Sequence, residues 1–277
     1  MTLDPTAIAH WQTWIGRTET RTEIIEVESL RRYAAALGES LDVETILPSL
    51  AHWACFLPVV GPDQLGPDGH PKRGGFLPPV TLQRRMFAAA DIDFPAPLSP
   101  GREATRTSRI ADVTHKAGRS GDLILVEVEH EIEQAGQVRV RERQTIVYRD
   151  AGAPMPAIIP TEQGEIPGAV TWLPGTVDLF RFSAVTFNSH RIHYDAAFAS
   201  GEEGYPGLVV HGPFTAAMLF GLGTQQGAAI RQFGFRALAP LFVDQPVTLV
   251  PGEDSVSAIR CDGVTAMAAT FKCRNEP

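Results

Sequence analysis

Three of the eight histidines in this 277-residue chain lie close together, at His190, His193 and His211. Asn188 stands just before the first two, and Gly212 directly follows the third. An imidazole can hold and transfer a proton, and a carboxamide can orient a water molecule for attack. A glycine at the start of a helix leaves backbone N–H groups free to stabilise a developing oxyanion. These residue types at this spacing predict a site that adds or removes water.

The segment Ser183–Asp195 resembles the hydratase 2 signature of the MaoC-type enoyl-CoA hydratases and dehydratases, in which Asp-x-Asn-Pro-aliphatic-His-x-Asp precedes a His-Gly pair. His193 and Asp195 match the end of that signature, and His211-Gly212 matches the His-Gly that begins the family's central helix. The resemblance implies a lyase, more closely a hydro-lyase of the enoyl-CoA hydratase type, with one active site per chain.

Two positions differ from the signature, since Asn188 stands where the family has its catalytic Asp and His190 where it has Asn. The string Phe-Asn-Ser-His-Arg-Ile-His-Tyr-Asp is similar to that of the family branch containing mesaconyl-CoA and itaconyl-CoA hydratases. The likeness continues through Arg73–Pro79 and Phe235–Ala237, and so covers most of the chain. It implies hydration of an unsaturated C5 dicarboxylyl-CoA, itaconyl-CoA or mesaconyl-CoA, to citramalyl-CoA, as in itaconate degradation.

The resemblance also implies an α+β double hot-dog fold, in which two antiparallel sheets are each wrapped round a central helix. Periodicity alone predicts α+β structure with antiparallel sheets. Glu28–Leu37 has the spacing of an amphipathic helix, and the nearly apolar segment Phe214–Leu222 predicts a buried one. Activity is expected to need no metal and no cofactor other than the CoA of the acyl-CoA substrate. A homo-oligomer such as a dimer is expected.

Hydration of a double bond conjugated to a thioester needs a base for water, an acid for the α-carbon and donors for the enolate oxygen. His193 is the candidate base, and Asn188 is the candidate that positions the water. The N–H of Gly212 is the candidate oxyanion donor, and His211 is a supporting residue. Asp195 either orients the imidazole or caps a following helix, and the cap is favoured.

A dicarboxylyl substrate carries a free carboxylate, which calls for a basic side chain in the pocket. Arg191, inside the motif, and Arg84 are the candidate substrate-binding residues. Other candidates are Lys72, Arg73 and Arg85.

The histidines also allow two other interpretations, a structural role for single residues and a metal site. A single histidine is more often structural than catalytic, so a structural role is predicted for His10, His52, His70, His115 and His130. A zinc site could use His190, His193 and His211 as ligands. The chain has no His-Glu-x-x-His, no Cys-x-x-Cys and no cysteine near these histidines, which disfavours zinc.

Two alternative functions share parts of this pattern. A 3-hydroxyacyl-thioester dehydratase of fatty acid synthesis would use the same fold and residues on a linear acyl chain. A non-catalytic acyl-CoA-binding hot-dog protein would fit the Asn188 substitution, whereas the retained His193 and His211-Gly212 argue for catalysis. A panel of unsaturated CoA esters would separate these functions.

Composition narrows the class of protein. The net charge of −8 argues against a nucleic-acid-binding surface. Three scattered cysteines do not form a disulfide framework and suit a reducing compartment. The chain has no run of 18 apolar residues and no basic-then-apolar leader, so a cytoplasmic protein that does not contact the membrane is expected.

Proline-rich stretches indicate how the chain is organised. Four prolines between Asp150 and Gly168 predict a linker over residues 151–168. It would join an N-terminal hot-dog unit, residues 1–150, which shapes the substrate pocket, to a C-terminal unit, residues 169–277, which carries the motif. A second loop, Gly61–Pro79, either closes over a substrate or is a surface excursion.

Strict alternation of apolar and acidic residues over Leu125–Glu133 predicts a half-buried strand. Gln134–Gly136 predicts a three-residue hairpin loop. In that register Glu131 faces Arg139 and Glu129 faces Arg141, so opposite charges form a solvated ladder rather than a phosphate site.

Overall fold

The computed structural model describes residues 3–118, 121–225 and 229–274. In the N-terminal part, helices α1 (Pro5–Gln12) and α2 (Val27–Leu37) accompany five strands. The strands are β1 (Thr18–Ile24), β2 (Arg84–Asp93), β3 (Glu103–Gly118), β4 (Gly121–Gln134) and β5 (Gln137–Arg149). They pair in the order β1-β3-β4-β5-β2.

The C-terminal part repeats this plan. Its helices are α3 (Thr176–Val185), α4 (Ala196–Gly201) and α5 (Gly212–Thr224). Its strands are β6 (Val170–Trp172), β7 (Ile230–Ala237), β8 (Val247–Pro251), β9 (Ser255–Arg260) and β10 (Thr265–Cys273). They pair in the order β7-β10-β9-β8-β6, and short 3₁₀ turns occur at Ala51–Ala54, Pro62–Gln64 and Arg191–His193.

The two sheets join edge to edge through the antiparallel pair β2 and β7, where Ala90 faces Phe235 and Ile92 faces Phe233. The ten strands therefore form one antiparallel sheet in which the second half repeats the strand order of the first. Helix α5 packs against the C-terminal sheet, and helix α2 packs against α3 and α5. This is the double hot-dog arrangement, so the predicted fold is confirmed.

Both predicted helices are present and buried as expected. Helix α2 buries Leu30, Tyr33 and Leu37, and it ends where Gly38 takes a left-handed conformation with φ of 74°. Helix α5 is apolar on all sides and packs against β7, β8, β9 and β10. The buried side chains of both helices belong to one apolar core. Among the described residues, no helix is both long and apolar enough to cross a bilayer.

The β4–β5 hairpin forms, but its predicted register is wrong by two residues. The turn has two residues, Ala135 and Gly136, both at positive φ (52° and 71°), so Gln134 pairs with Gln137 instead of lying in the loop. A bulge then shifts the pairing between Ile132 and Glu133. In consequence Glu131 faces Arg141 and Glu129 faces Arg143. The charged ladder exists, with N–O distances of 2.8 Å and 2.5 Å in these pairs.

A buried ion pair links β2 to the segment after α4. Arg84 Nε lies 2.9 Å from Glu203 Oε2, and another guanidinium nitrogen donates to the Glu203 backbone carbonyl. The two residues are only 8% and 5% exposed. Burial raises the pKa of the Glu203 carboxyl, and the positive charge of Arg84 opposes that shift. The pair therefore holds the N-terminal sheet against the C-terminal part of the chain.

We expect Arg84→Met to lower the free energy of unfolding by about 3 kcal/mol, because it leaves a buried carboxylate without its partner. Urea unfolding of the purified protein measures this change. The double variant Arg84→Met/Glu203→Leu should regain most of the loss. A single variant within about 0.5 kcal/mol of the wild type would contradict the structural role of the pair.

Candidate active site

The motif segment leaves helix α3 through a tight turn. Phe187 takes a left-handed conformation with φ of 49°, which redirects the chain after the helix. Asn188 Oδ1 then accepts the backbone N–H of His190 at 3.0 Å, and a 3₁₀ turn follows. The Asn188 side chain keeps its two amide protons and one oxygen lone pair for another partner. It can therefore hold a water molecule, as the sequence predicts.

The His193 ring is buried and fixed in one orientation. Its Nδ1 lies 2.7 Å from the backbone carbonyl of Val209, and a carbonyl can only accept, so Nδ1 carries the proton. The Nε2 lone pair is then free to act as a base. Burial lowers the pKa of His193 to about 3, so the imidazole is neutral at pH 7.

His211 lies directly beside His193. The two rings are stacked with centroids 3.6 Å apart, and His211 Nε2 is 2.8 Å from the Ser183 hydroxyl. Burial holds the pKa of His211 well below its usual value, so this ring is also neutral. Its Nδ1 is buried without a hydrogen bond in the described parts of the chain. His211 thus supports the His193 ring, and Ser183 is a polar residue of the site that the sequence did not single out.

Helix α5 begins at Gly212, as predicted. Because Pro213 occupies the next position, it contributes no N–H, and the Gly212 N–H has no hydrogen-bond partner among the residues described. The positive end of the helix dipole lies at the same place. This geometry suits the predicted oxyanion donor.

A cleft of about 1290 Å³ opens beside these groups. Ser183, Asn188 and Pro213 form part of its wall on the C-terminal side. His70 and Arg85 line it on the N-terminal side. His190, His193 and His211 do not line the cleft themselves, although His211 contacts the lining residue Ser183. Both halves of the chain therefore shape one cleft, and the histidine of this cluster that reaches it is His70.

The loop Gly61–Pro79 lines the cleft, so it is more than a surface excursion, and its closure over a substrate stays a prediction. It places His70 against His190, with ring centroids 4.1 Å apart. His70 Nδ1 lies 3.2 Å from Asp68 Oδ2. Burial and the positive charge of Arg85 lower the pKa of His70 to about 4, against the opposing effect of Asp68. His70, predicted to be structural, thus stands in the candidate active site.

The other four histidines predicted to be structural lie elsewhere or are bonded to neighbours. His10 is exposed at the end of α1, and His115 pairs with Asp122. His52 and His130 also line the cleft, where His52 contacts Glu142 and His130 contacts Ser108.

Backbone contacts clamp the loop to the motif. The Arg191 N–H donates to the Asp68 carbonyl at 2.9 Å, and the Ser189 hydroxyl donates to the Gly69 carbonyl at 2.5 Å. Gly69 has φ of 86°, and a Cβ there would lie 1.9 Å from the Ser189 carbonyl oxygen. Only glycine fits this contact. The clamp sets the position of His70 relative to the motif.

The three histidines considered as alternative zinc ligands, His190, His193 and His211, do not form a metal-binding group in the structure. His193 Nδ1 and His211 Nε2 are occupied by Val209 and Ser183, as described above. A different trio, Asp68, His70 and His190, brings one donor atom from each side chain within 4.8 Å of the others.

Neither predicted substrate-binding arginine lines the cleft. Arg191 pairs with Asp195 at 2.7 Å, and its guanidinium lies over the Phe198 ring. Asp195 also accepts the Phe198 N–H at 3.0 Å, so it is the N-cap of α4. Arg84 is held by its buried ion pair. The sequence could not reveal these partners because both pairings depend on local or tertiary geometry.

The other basic candidates line the cleft in different ways. Arg73 donates to the carbonyls of Val80 and Gln83, so its guanidinium is occupied. Lys72 is exposed and donates to the Asp63 carbonyl. Arg85 is half-buried on β2 and forms no salt bridge with a carboxylate among the described residues, although its charge acts on Asp68 and Tyr148. It is the arginine best placed to receive an anionic group.

Comparison with known proteins identifies the family. Residues 50–243 match the family described as hydroxyacyl-thioester dehydratase type 2. The chain belongs to this family. The chain is 46% identical over 274 residues to the mesaconyl-C(4)-CoA hydratase of Chloroflexus aurantiacus, covering 95% of this chain and 98% of that protein. It is also 36% identical over 84 residues, 29% of this chain and 28% of the relative, to the mitochondrial hydroxyacyl-thioester dehydratase type 2 of Schizosaccharomyces pombe. The protein is an enzyme of the hydro-lyase class.

Solved structures of other proteins share the fold of this chain. HtdX of Mycobacterium tuberculosis aligns with a TM-score of 0.68 at 17% identity, covering 93% of this chain and 100% of that one. Another protein of that organism, described as a double hot-dog, aligns with a TM-score of 0.57 at 9% identity, covering 93% and 95%. At such identities the likeness shows the fold alone.

We expect Gly69→Ala to lower the free energy of unfolding by about 2 kcal/mol, because the new Cβ meets the Ser189 backbone and the conformation disfavours a side chain. Gly75→Ala is the matched control on the same loop, since a Cβ there meets nothing within 4 Å. Urea unfolding of both variants compares them. Equal stabilities would mean that the loop is not clamped where the structure places it.

Proposed function

We propose that this protein hydrates an unsaturated C5 dicarboxylyl-CoA, with mesaconyl-C4-CoA as the preferred substrate and citramalyl-CoA as the product. The observation that carries the proposal is Arg85, a cleft arginine without a salt bridge to a carboxylate among the described residues, which lines the same cleft as Asn188. The 46% identity to a mesaconyl-C(4)-CoA hydratase over nearly the whole chain supports the same substrate. Itaconyl-CoA is the second candidate.

The proposed chemistry uses Asn188, His193 and the Gly212 N–H. Asn188 orients a water molecule towards the β-carbon, and the neutral His193 imidazole accepts a proton from it through Nε2. As the C–O bond forms, the electron pair of the double bond moves towards the thioester oxygen. The Gly212 N–H at the start of α5 then stabilises the negative charge on that oxygen.

The position of Arg85 suits the carboxylate of a mesaconyl group. In mesaconyl-C4-CoA the free carboxylate is attached to the carbon that water attacks, so its partner belongs near Asn188. Arg85 is the candidate for this partner, because it lines the same cleft as Asn188 and its charge acts on His70. A guanidinium can bind a carboxylate through two parallel hydrogen bonds.

The cleft also contains a buried carboxylate, that of Glu142. Glu142 lines it and is 4% exposed, with hydrogen bonds from Trp53 at 3.0 Å and Gln144 at 2.9 Å. Burial alone would raise the pKa of Glu142, but its contact with His52 and its other hydrogen bonds hold that pKa at about 2. A buried anion repels the free carboxylate of the substrate. Arg21 and Arg106 also line the cleft, but both are paired with Glu19, so Arg85 remains the favoured partner for that carboxylate.

The oxyanion donor favours mesaconyl-C4-CoA over itaconyl-CoA. In the first ester the double bond is conjugated to the thioester, so addition of water develops charge on the thioester oxygen. In itaconyl-CoA the double bond is conjugated only to the free carboxylate. The Gly212 N–H therefore lowers the barrier for the mesaconyl ester more than for the itaconyl ester.

The direct test is a panel of mesaconyl-C4-CoA, itaconyl-CoA and crotonyl-CoA, with products followed by chromatography and mass spectrometry. We expect mesaconyl-C4-CoA to exceed crotonyl-CoA by about 10²-fold in kcat/KM, because crotonyl-CoA leaves a polar group of the site unpaired. Arg85→Met should remove most of that preference. Arg191→Met should keep it, since Arg191 is already paired with Asp195.

Equal rates of the wild type on mesaconyl-C4-CoA and crotonyl-CoA would reject the dicarboxylate substrate and favour a linear 3-hydroxyacyl thioester. If Arg191→Met rather than Arg85→Met loses the preference, the carboxylate binds on the other side of the motif.

We expect His193→Ala to reduce hydration by about 10²-fold to 10⁴-fold, because it removes the proton acceptor for water. His10→Ala, at an exposed ring near the N-terminus, is the matched control and should retain the wild-type rate. Steady-state kinetics with circular dichroism as a folding check provide the comparison. A folded His193→Ala protein with a near-normal rate would exclude His193 as the base.

A further inference from the structure

The reaction needs a second proton-transfer group, and His193 supplies only one. Hydration breaks one O–H bond of water and forms a C–O bond at the β-carbon and a C–H bond at the α-carbon. We propose that His70, held by Asp68, is a catalytic residue that delivers the proton to the α-carbon and removes it in the reverse reaction. This inference rests on the proposed hydratase function and adds a residue from the N-terminal half of the chain to its chemistry.

The orientation of His70 fits this role. A carboxylate can only accept, so the 3.2 Å contact with Asp68 Oδ2 places the proton of the neutral ring on Nδ1. The Nε2 atom is then the ring nitrogen that can bind and release a proton. Asp68 is itself fixed, because its Oδ1 accepts the His70 N–H at 3.0 Å and its carbonyl accepts the Arg191 N–H at 2.9 Å. The imidazole is thus held by a carboxylate that also stabilises its protonated form.

The location of His70 fits as well. It lines the cleft together with Asn188 and Arg85, whereas His193 does not line it. A substrate whose β-carbon lies near Asn188 and whose carboxylate lies on Arg85 brings its α-carbon to the same region of the cleft. His52 and His130 also line the cleft but are held by Glu142 and Ser108, so His70 is the ring that we assign to that carbon.

Each atom and electron pair in the proposed step is accounted for. His193 Nε2 takes a proton from water as the oxygen bonds to the β-carbon. The electron pair of the double bond moves through the thioester, then forms the new C–H bond with the Nε2 proton of the His70 imidazolium. Afterwards His193 releases a proton to solvent and His70 gains one through the open cleft.

Substrate binding changes the charge balance around His70. Charged and titratable groups near the ring come from the loop, from β2 and from the motif: Asp68, Arg73, Arg85, His190 and His193. Apart from burial, the positive charge of Arg85 is the largest influence that lowers the pKa of His70. A substrate carboxylate paired with Arg85 offsets that charge and favours the imidazolium that protonates the α-carbon. The dicarboxylate substrate would therefore favour the protonated form of His70, which is the acid that protonates the α-carbon.

The test compares His70→Gln and Asp68→Asn with His115→Gln as the matched control. His115 also pairs with an aspartate, at 2.7 Å from Asp122, and it does not line the cleft. Two rates are measured: hydration of mesaconyl-C4-CoA, and incorporation of solvent deuterium at the α-carbon of citramalyl-CoA. We expect His70→Gln to lose about 10²-fold to 10⁴-fold in both rates and His115→Gln to keep both.

Asp68 positions His70 and does not itself transfer the proton. The effect of Asp68→Asn is therefore measured as the pH dependence of kcat. Asp68 raises the pKa of His70, and hydration needs His70 protonated, so the rate falls as pH rises through that pKa. Asp68→Asn lowers the pKa of His70 and should move this falling limb of kcat to lower pH. A purely structural role would lower the rate without moving the limb, and an unmoved limb would overturn the role of Asp68 even if His70→Gln fails to fold.

The remaining outcomes separate the two proposals. If the wild type hydrates the ester and folded His70→Gln keeps both rates, the role of His70 is overturned and the hydratase function stands. If dialysis against a chelator abolishes wild-type activity and zinc restores it, Asp68, His70 and His190 hold an ion and His70 is not the acid. If the wild type turns over no ester of the panel, the hydratase function fails and the role of His70 fails with it.

Discussion

The backbone contact between the loop Gly61–Pro79 and the motif is the constraint on which the site depends. Gly69 lies so close to Ser189 that no side chain fits between them, and the neighbouring Asp68 carbonyl accepts a motif N–H. This contact joins segments that lie about 120 residues apart in sequence and belong to different halves of the chain. Because the loop is clamped, the cleft has a wall on each side, and His70 is fixed against His190. The paired sheets supply the rigid base, and the clamp brings the chemistry of the two halves together.

The site is a cluster of imidazoles held neutral by burial. Desolvation is the first cause of the lowered pKa of His70, His190, His193 and His211, and mutual repulsion among several of the rings adds to it. A neutral ring can accept a proton, so these rings suit the proposed acid–base chemistry. Arg85 and Glu142 bring opposite charges to the cleft, and we propose that an anionic acyl group binds at Arg85. Burial and charge placement together support the proposed chemistry and substrate.

Local sequence patterns predicted the elements well and the tertiary partners poorly. The amphipathic spacing before Gly38, the apolar run after Gly212 and the alternation in β4 each specify an element by their own periodicity. The hairpin register failed because one left-handed Ala135 and one bulge move the pairing, and neither has a strong sequence signal. Arg84 looked available for a substrate because its partner Glu203 is 119 positions away. His70 was missed for the same reason, although Asp-Gly-His in a glycine- and proline-rich loop was the signal that could have marked it.

The central claim is that one active site is assembled from both halves of the chain. A crystal structure of the protein with methylsuccinyl-CoA, the saturated and unreactive analogue of the proposed substrate, tests it most directly. The account predicts the analogue carboxylate on Arg85, the thioester oxygen at the Gly212 N–H, and the α-carbon within about 3.5 Å of His70 Nε2. An acyl group bound against the motif alone, with the loop Gly61–Pro79 making no contact with it, would contradict the claim.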